Sequence, residues 1–185
     1  MKLSNRLTIV SISLLTLAVI VGASEQRTIQ AALRMPRDRS AAPSFRLANA
    51  SGKFVRLSDF RGKPVVLNFW ATECGGCRAE LPAFVRLERA YANRGLTVLG
   101  VSMDIMYEDL KSADEGWARV KPFVHAQRIE YPILMDDGSV EKSFNVNALP
   151  ATYVIDRAGR IAATYIGVVD PANLEANIQT ILAER

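Results

Sequence analysis

The 185-residue chain has one histidine, His125, and only two cysteines, Cys74 and Cys77. That shortage excludes whole classes of site. A structural zinc centre needs four ligands, and this cysteine pair supplies two with no second pair to complete the set. His125 sits alone at a charged helix end, so no nucleophile–histidine pairing can be inferred. The net charge is +4, but no dense basic run with interleaved aromatics accompanies it, and nucleic-acid binding is unsupported. No internal repeat is present. What remains is a chain that is 49% apolar and long enough for one sizeable core plus an appendage.

The two cysteines stand in Phe69-Trp70-Ala71-Thr72-Glu73-Cys74-Gly75-Gly76-Cys77-Arg78-Ala79-Glu80. Val65 to Trp70 is an apolar run that reads as a buried strand. Beyond Cys77 the pattern becomes helical, with Leu81, Phe84, Val85, Leu87 and Tyr91 on one face. Strand, tight turn and helix N-terminus together form a setting that makes a thiol reactive. The unpaired N–H groups and partial positive charge of the helix end stabilise a thiolate. A free thiol is only roughly 3% ionised at pH 7, whereas Cys-X-X-Cys settings lower the pKa to about 3.5–7.5. As an inert staple, a ring this small contributes only about 2 kcal/mol of loop entropy. A redox dithiol is therefore the preferred reading. Cys74, at the loop–helix junction, is the expected attacking thiolate and Cys77 the resolving thiol.

The stretch from Phe69 through Leu81-Pro82 resembles the active site of the TlpA/ResA-like thioredoxins, and the likeness extends from about Ala42 to the C-terminus. The resemblance implies a thioredoxin-like α/β fold, a central mixed sheet flanked by helices with an added N-terminal hairpin. It also implies an exported, often membrane-tethered thiol–disulfide oxidoreductase. Client proteins with disulfides or thiols (apocytochrome c or copper-site cysteines) and a membrane electron donor are the implied partners; no cofactor or metal is expected. Pro150, in Asn147-Ala148-Leu149-Pro150-Ala151-Thr152, matches the cis-proline that faces the cysteine pair in such proteins. Leu149 is then expected to offer its backbone to an extended substrate segment. Glu80, three residues after Cys77, matches a glutamate implicated in tuning the pair, though a solvated helix glutamate is the ordinary alternative. Asn68 stands where ordinary thioredoxins have a buried aspartate.

Three regions are expected: residues 1–23 as a transmembrane anchor or signal peptide, 24–42 as a linker, and 43–185 as the thioredoxin-like domain. Leu7 to Ala23 carries no charge, with Lys2 and Arg6 ahead of it. At 17 residues it falls between a spanning helix and a long signal-peptide core, so both an uncleaved anchor and a cleaved signal stay open. Either way the basic N-terminus stays in the cytoplasm and the remainder is extracytoplasmic, on the periplasmic side. The arginine-rich Ser24–Ala42 stretch reads as a solvated tether, with a helical segment near Thr28–Leu33.

Phe45 to Leu57 reads as a hairpin around Asn49-Ala50-Ser51-Gly52, Leu96–Ser102 as a parallel strand, and Asp104–Arg128 as mostly helical, with Trp117 packed in the core. Pro82 is expected to kink the active-site helix, and Gly95 to cap its end. Tyr153–Ile155 and Ile161–Ile166 form a second hairpin, and Asp170-Pro171 opens the last helix.

Two positions depart from the family. Glu73 replaces the usual tryptophan before the first cysteine, and Gly76 replaces a frequent proline before the second. An inward Glu73 would oppose thiolate formation, and Gly76 would loosen the turn. Two other functions compete. A thiol peroxidase shares the fold but needs a threonine three residues before its reactive cysteine, where this chain has Ala71. A copper-binding chaperone generally spaces its cysteines by three residues and adds a histidine.

Overall fold

The computed structural model describes residues 27–184. The apolar run expected to anchor the chain lies outside those residues. Among the described ones, no helix is long and apolar enough to cross a membrane.

Strand β3 (Val65–Trp70) is the axis of the molecule. It pairs in parallel with β4 (Thr97–Ser102) on one side and antiparallel with β6 (Ala151–Ile155) on the other. Every residue of β3 is buried, because helices cover both faces of the sheet. The two-residue period sends Val66, Asn68 and Trp70 to one face and Val65, Leu67 and Phe69 to the other. Burying each large apolar side chain contributes about 1.5–3 kcal/mol.

The full sheet has seven strands in the order β2-β1-β5-β4-β3-β6-β7, with β1 Arg46–Asn49, β2 Phe54–Arg56, β5 Ile133–Met135 and β7 Ile161–Ile166. This is the expected mixed sheet with its added N-terminal hairpin. Helix α1 (Gly75–Tyr91) follows β3 directly and runs unbroken through Pro82. Gly95, with φ of 91°, closes the turn after it. The last helix, α5 (Pro171–Ala183), starts on the Asp170 side chain, which accepts from the Asn173 N–H.

Two expectations need correction. The stretch after β4 is not one helix. It divides into a single turn, α2 (Asp104–Tyr107), and α3 (Ala113–Ala126). Asp109 takes a positive φ of 50°, and Ser112 restarts the helix by capping the Glu115 N–H. Trp117 of α3 does pack against the core.

Nor are residues 27–42 a solvated tether with a helix near Thr28–Leu33. Ile29 forms an isolated bridge with Val169, and Ala41 with Arg160. Arg39 is buried, pairing with Asp156 at 3.2 Å and bidentately with Glu184 at 2.6 and 2.7 Å. Arginine density reads as solvated in sequence, but a planar guanidinium between two carboxylates is well matched to burial. This strap reaches the loop after β7 and the end of α5.

Candidate active site at the start of helix α1

β3 ends at Trp70, and four residues later Cys74 occupies the N-cap of α1. Its Sγ accepts the Cys77 N–H at 3.2 Å, so sulfur takes the place usually filled by a serine or aspartate oxygen. A negative sulfur there meets an orphan donor and the positive end of a 17-residue helix. Cys74 and Cys77 are joined in a disulfide. Cys74 keeps 5% of its surface exposed and Cys77 none, so Cys74 is the more accessible sulfur of the pair.

The Leu149–Pro150 peptide bond is cis. Pro150 is buried against the cysteine turn: a Cβ on Gly76 would lie 3.3 Å from Pro150 Cδ and 3.1 Å from Val168 Cγ2. The bare backbone at Gly76 permits this approach between the two cysteines. The Gly167 N–H, donating to the Pro150 carbonyl at 2.8 Å, ties the proline loop to the end of β7.

Glu80 lies one turn beyond Cys77 and is 2% exposed. Its Oε1 accepts from Asn68 Nδ2 at 2.8 Å and its Oε2 from the Val169 N–H at 3.1 Å. Burial pushes its pKa up to about 7, and the two hydrogen bonds only partly oppose the shift. Residues three apart on a helix place their Cβ atoms roughly 5–6 Å apart, so Glu80 and Cys77 share one face of α1. Asn68 also donates to Thr152 Oγ1 at 3.0 Å, bridging β3, α1 and β6. The solvated alternative for Glu80 does not describe this side chain.

Glu73 is a surface side chain. It is 59% exposed, and its Oε1 lies 3.9 Å from Arg119 Nη1. His125 is exposed at the end of α3.

Sequence reasoning missed one cluster. Asp104 has no exposed surface, although it reads in sequence as only the start of a helix. It accepts from the Thr72 hydroxyl at 2.5 Å, the Thr72 N–H at 3.2 Å and the Ser102 hydroxyl at 2.8 Å. The loop that presents Cys74 is thereby held to the end of β4. The only signal available was an aspartate two residues past a buried strand.

Comparison with known proteins identifies the family. A model of the AhpC/TSA family matches residues 39–164. The chain is 34% identical over 137 residues to the thioredoxin-like protein YneN of Bacillus subtilis (strain 168), covering 74% of this chain and 76% of that one. It is 30% identical over 178 residues to the thiol-disulfide oxidoreductase ResA of Bacillus cereus (strain ZK / E33L), covering 96% and 97%. The chain belongs to the AhpC/TSA family, among the ResA-like members of the thioredoxin superfamily.

A solved thioredoxin-family thiol:disulfide interchange protein from Chlorobium tepidum TLS shares the thioredoxin-like fold. It superposes with a TM-score of 0.67 at 26% identity over 78% of this chain and 97% of its own. This ResA-like chain is a thiol–disulfide oxidoreductase.

Proposed function

We propose that the chain is an extracytoplasmic protein-disulfide reductase, held to the membrane by residues 1–23, in which Cys74, Cys77, Glu80 and Pro150 form the working site. The observation that carries the mechanism is the burial of the Glu80 carboxyl one turn from the buried cysteine, which pushes its pKa up to about 7. The Cys74 thiolate attacks a client disulfide, forming a mixed disulfide and releasing the first client thiolate. Cys77 passes its proton to the Glu80 carboxylate and attacks Cys74 Sγ. The second client thiolate leaves, and Cys74–Cys77 is oxidised. Two electrons have moved from the dithiol to the client, and an external dithiol at the membrane restores them. Pro150 holds the cysteine turn in place while the Leu149 backbone lines up the client segment.

The reducing direction and the candidate clients, apocytochrome c or copper-site cysteines, rest on the ResA likeness. Reduction of insulin disulfides by the full chain, with dithiothreitol as electron source, should fall to background in Cys74→Ser. Equal rates for wild type and variant contradict the proposal.

The name of the matching family also raises peroxide reduction. Ala71 stands at the place of the required threonine, and the neighbouring Thr72 hydroxyl is engaged with Asp104 at 2.5 Å. Peroxide turnover at Cys74 is expected to be negligible beside disulfide exchange.

A further inference from the structure

Beside the proline loop lies a groove of about 240 Å³. Leu149 and Val146 form one wall, α2 with Met103, Met106 and Tyr107 another, and Glu141 of α4 (Ser139–Phe144) a third. Leu149 joins the groove to the active site through the cis bond to Pro150. The opposite wall is anchored to the same site. Asp104, the first residue of α2, clamps Thr72, and the Met103 N–H donates to the Trp70 carbonyl at 2.8 Å.

Two features of the groove call for an occupant. Met106 and Tyr107 are 40% and 53% exposed, a rare display of large apolar side chains on this surface. Methionine and tyrosine suit such a wall, the one adaptable and polarizable, the other amphipathic. Among the described residues, Glu141 is the only charged one lining the groove. Its Oε2 is shut off from solvent with no hydrogen-bond partner among the described residues. A carboxylate on a groove wall, short of donors from its own chain, is complementary to a cation.

We infer that this groove selects client segments carrying a lysine or arginine close to the reactive cysteine. The aliphatic stem lies on Met106 and Tyr107, and the charged head donates to Glu141. An anionic residue at the same place meets a like charge in an apolar setting. The inference rests on the oxidoreductase reading and adds client selectivity to it.

The test is a competition for Cys74. The full-length Cys77→Ser chain in detergent is equilibrated with cysteine peptides supplied as glutathione mixed disulfides. The peptides are identical except for Lys, Gln or Glu within two residues of the cysteine. The Cys74 thiolate displaces glutathione thiolate and forms one protein–peptide disulfide per event, and mass spectrometry reads their ratio.

The lysine peptide should be captured about tenfold over the glutamate peptide. Adding Glu141→Gln should bring the ratio close to one, and Glu141→Lys should invert it. Met106→Ser, at an exposed position, supplies a further check: capture of long-stemmed peptides should drop relative to an alanine peptide. Equal capture by the Cys77→Ser chain, or a preference that survives Glu141→Gln, overturns the inference and leaves the oxidoreductase reading intact. If Cys74 forms no mixed disulfide with any peptide, the oxidoreductase reading falls and the selectivity built on it falls too.

Discussion

Asn68 Nδ2 donates to Glu80 Oε1 at 2.8 Å inside the protein, one turn of α1 below Cys77. The bond favours the charged carboxylate, while burial favours the neutral acid and wins, leaving Glu80 near 7. Asn68→Ala removes the donor and should push the Glu80 pKa higher still. Resolution of a Cys74 mixed disulfide, followed by stopped-flow against pH, should show an inflection near 7 in wild type and a higher one in the variant. Glu80→Gln should lose the inflection and slow resolution about 10–100-fold at pH 7. An unchanged profile in both variants removes Glu80 from the proton path.

The same shift fixes a pH dependence of stability. The folded chain keeps the Glu80 proton up to about pH 7, whereas an ordinary glutamate releases it near 4.5. Between those values the folded state binds more protons, so this contribution to stability is complete below about 4.5 and declines as pH rises to 7. The loss is roughly 3 kcal/mol at most. Denaturant melts of the oxidised protein at pH 4.5 and 8 should show it, and Glu80→Gln should flatten it. A Glu80→Gln chain with the full wild-type decline contradicts this assignment.

Much of this architecture was legible beforehand because it repeats locally. The all-apolar β3, the 3.6-residue stripe of α1, the Gly95 turn and the Asp170-Pro171 cap each declare themselves within a few residues. The cysteine spacing did the same for the site, and the family likeness pointed to Glu80 and Pro150. What stayed hidden depends on partners far along the chain. Arg39 is buried because Asp156 and Glu184 come to meet it. Asp104 is buried because Thr72 supplies two donors from the loop beyond β3. Neither carboxylate nor guanidinium advertises such partners in sequence. The break between α2 and α3 was missed because the helical spacing of Trp117, Val120, Phe123 and Val124 lies wholly within α3 and carries no information about residues 108–112.

The Asp104 clamp carries its own consequence. Asp104→Ala leaves the Thr72 N–H, its hydroxyl and the Ser102 hydroxyl without their shared acceptor. The expected loss is about 2–4 kcal/mol, and Thr72→Val should lose about 1–2 kcal/mol. Denaturant unfolding measures both. Faster amide exchange across Thr72–Cys74 should accompany the Asp104 change; unaltered exchange there contradicts the clamp.

Glu73 should matter less than its place beside Cys74 suggests. Its carboxylate is exposed and turned toward Arg119 at 3.9 Å, where water screens it. Glu73→Gln should move the Cys74 pKa by less than about half a unit in a thiolate-absorbance titration. A drop of more than one unit means the side chain acts on the sulfur directly.

The most direct test of the account is a redox titration of Cys74–Cys77 in defined thiol–disulfide buffers, read by alkylation and by fluorescence from the buried Trp70. The account predicts one reversible two-electron couple, lost in Cys74→Ser, with a potential near thioredoxin's roughly −270 mV. A value approaching about −120 mV reverses the proposed direction and makes the chain a disulfide donor. A pair that shows no reversible couple contradicts the central claim.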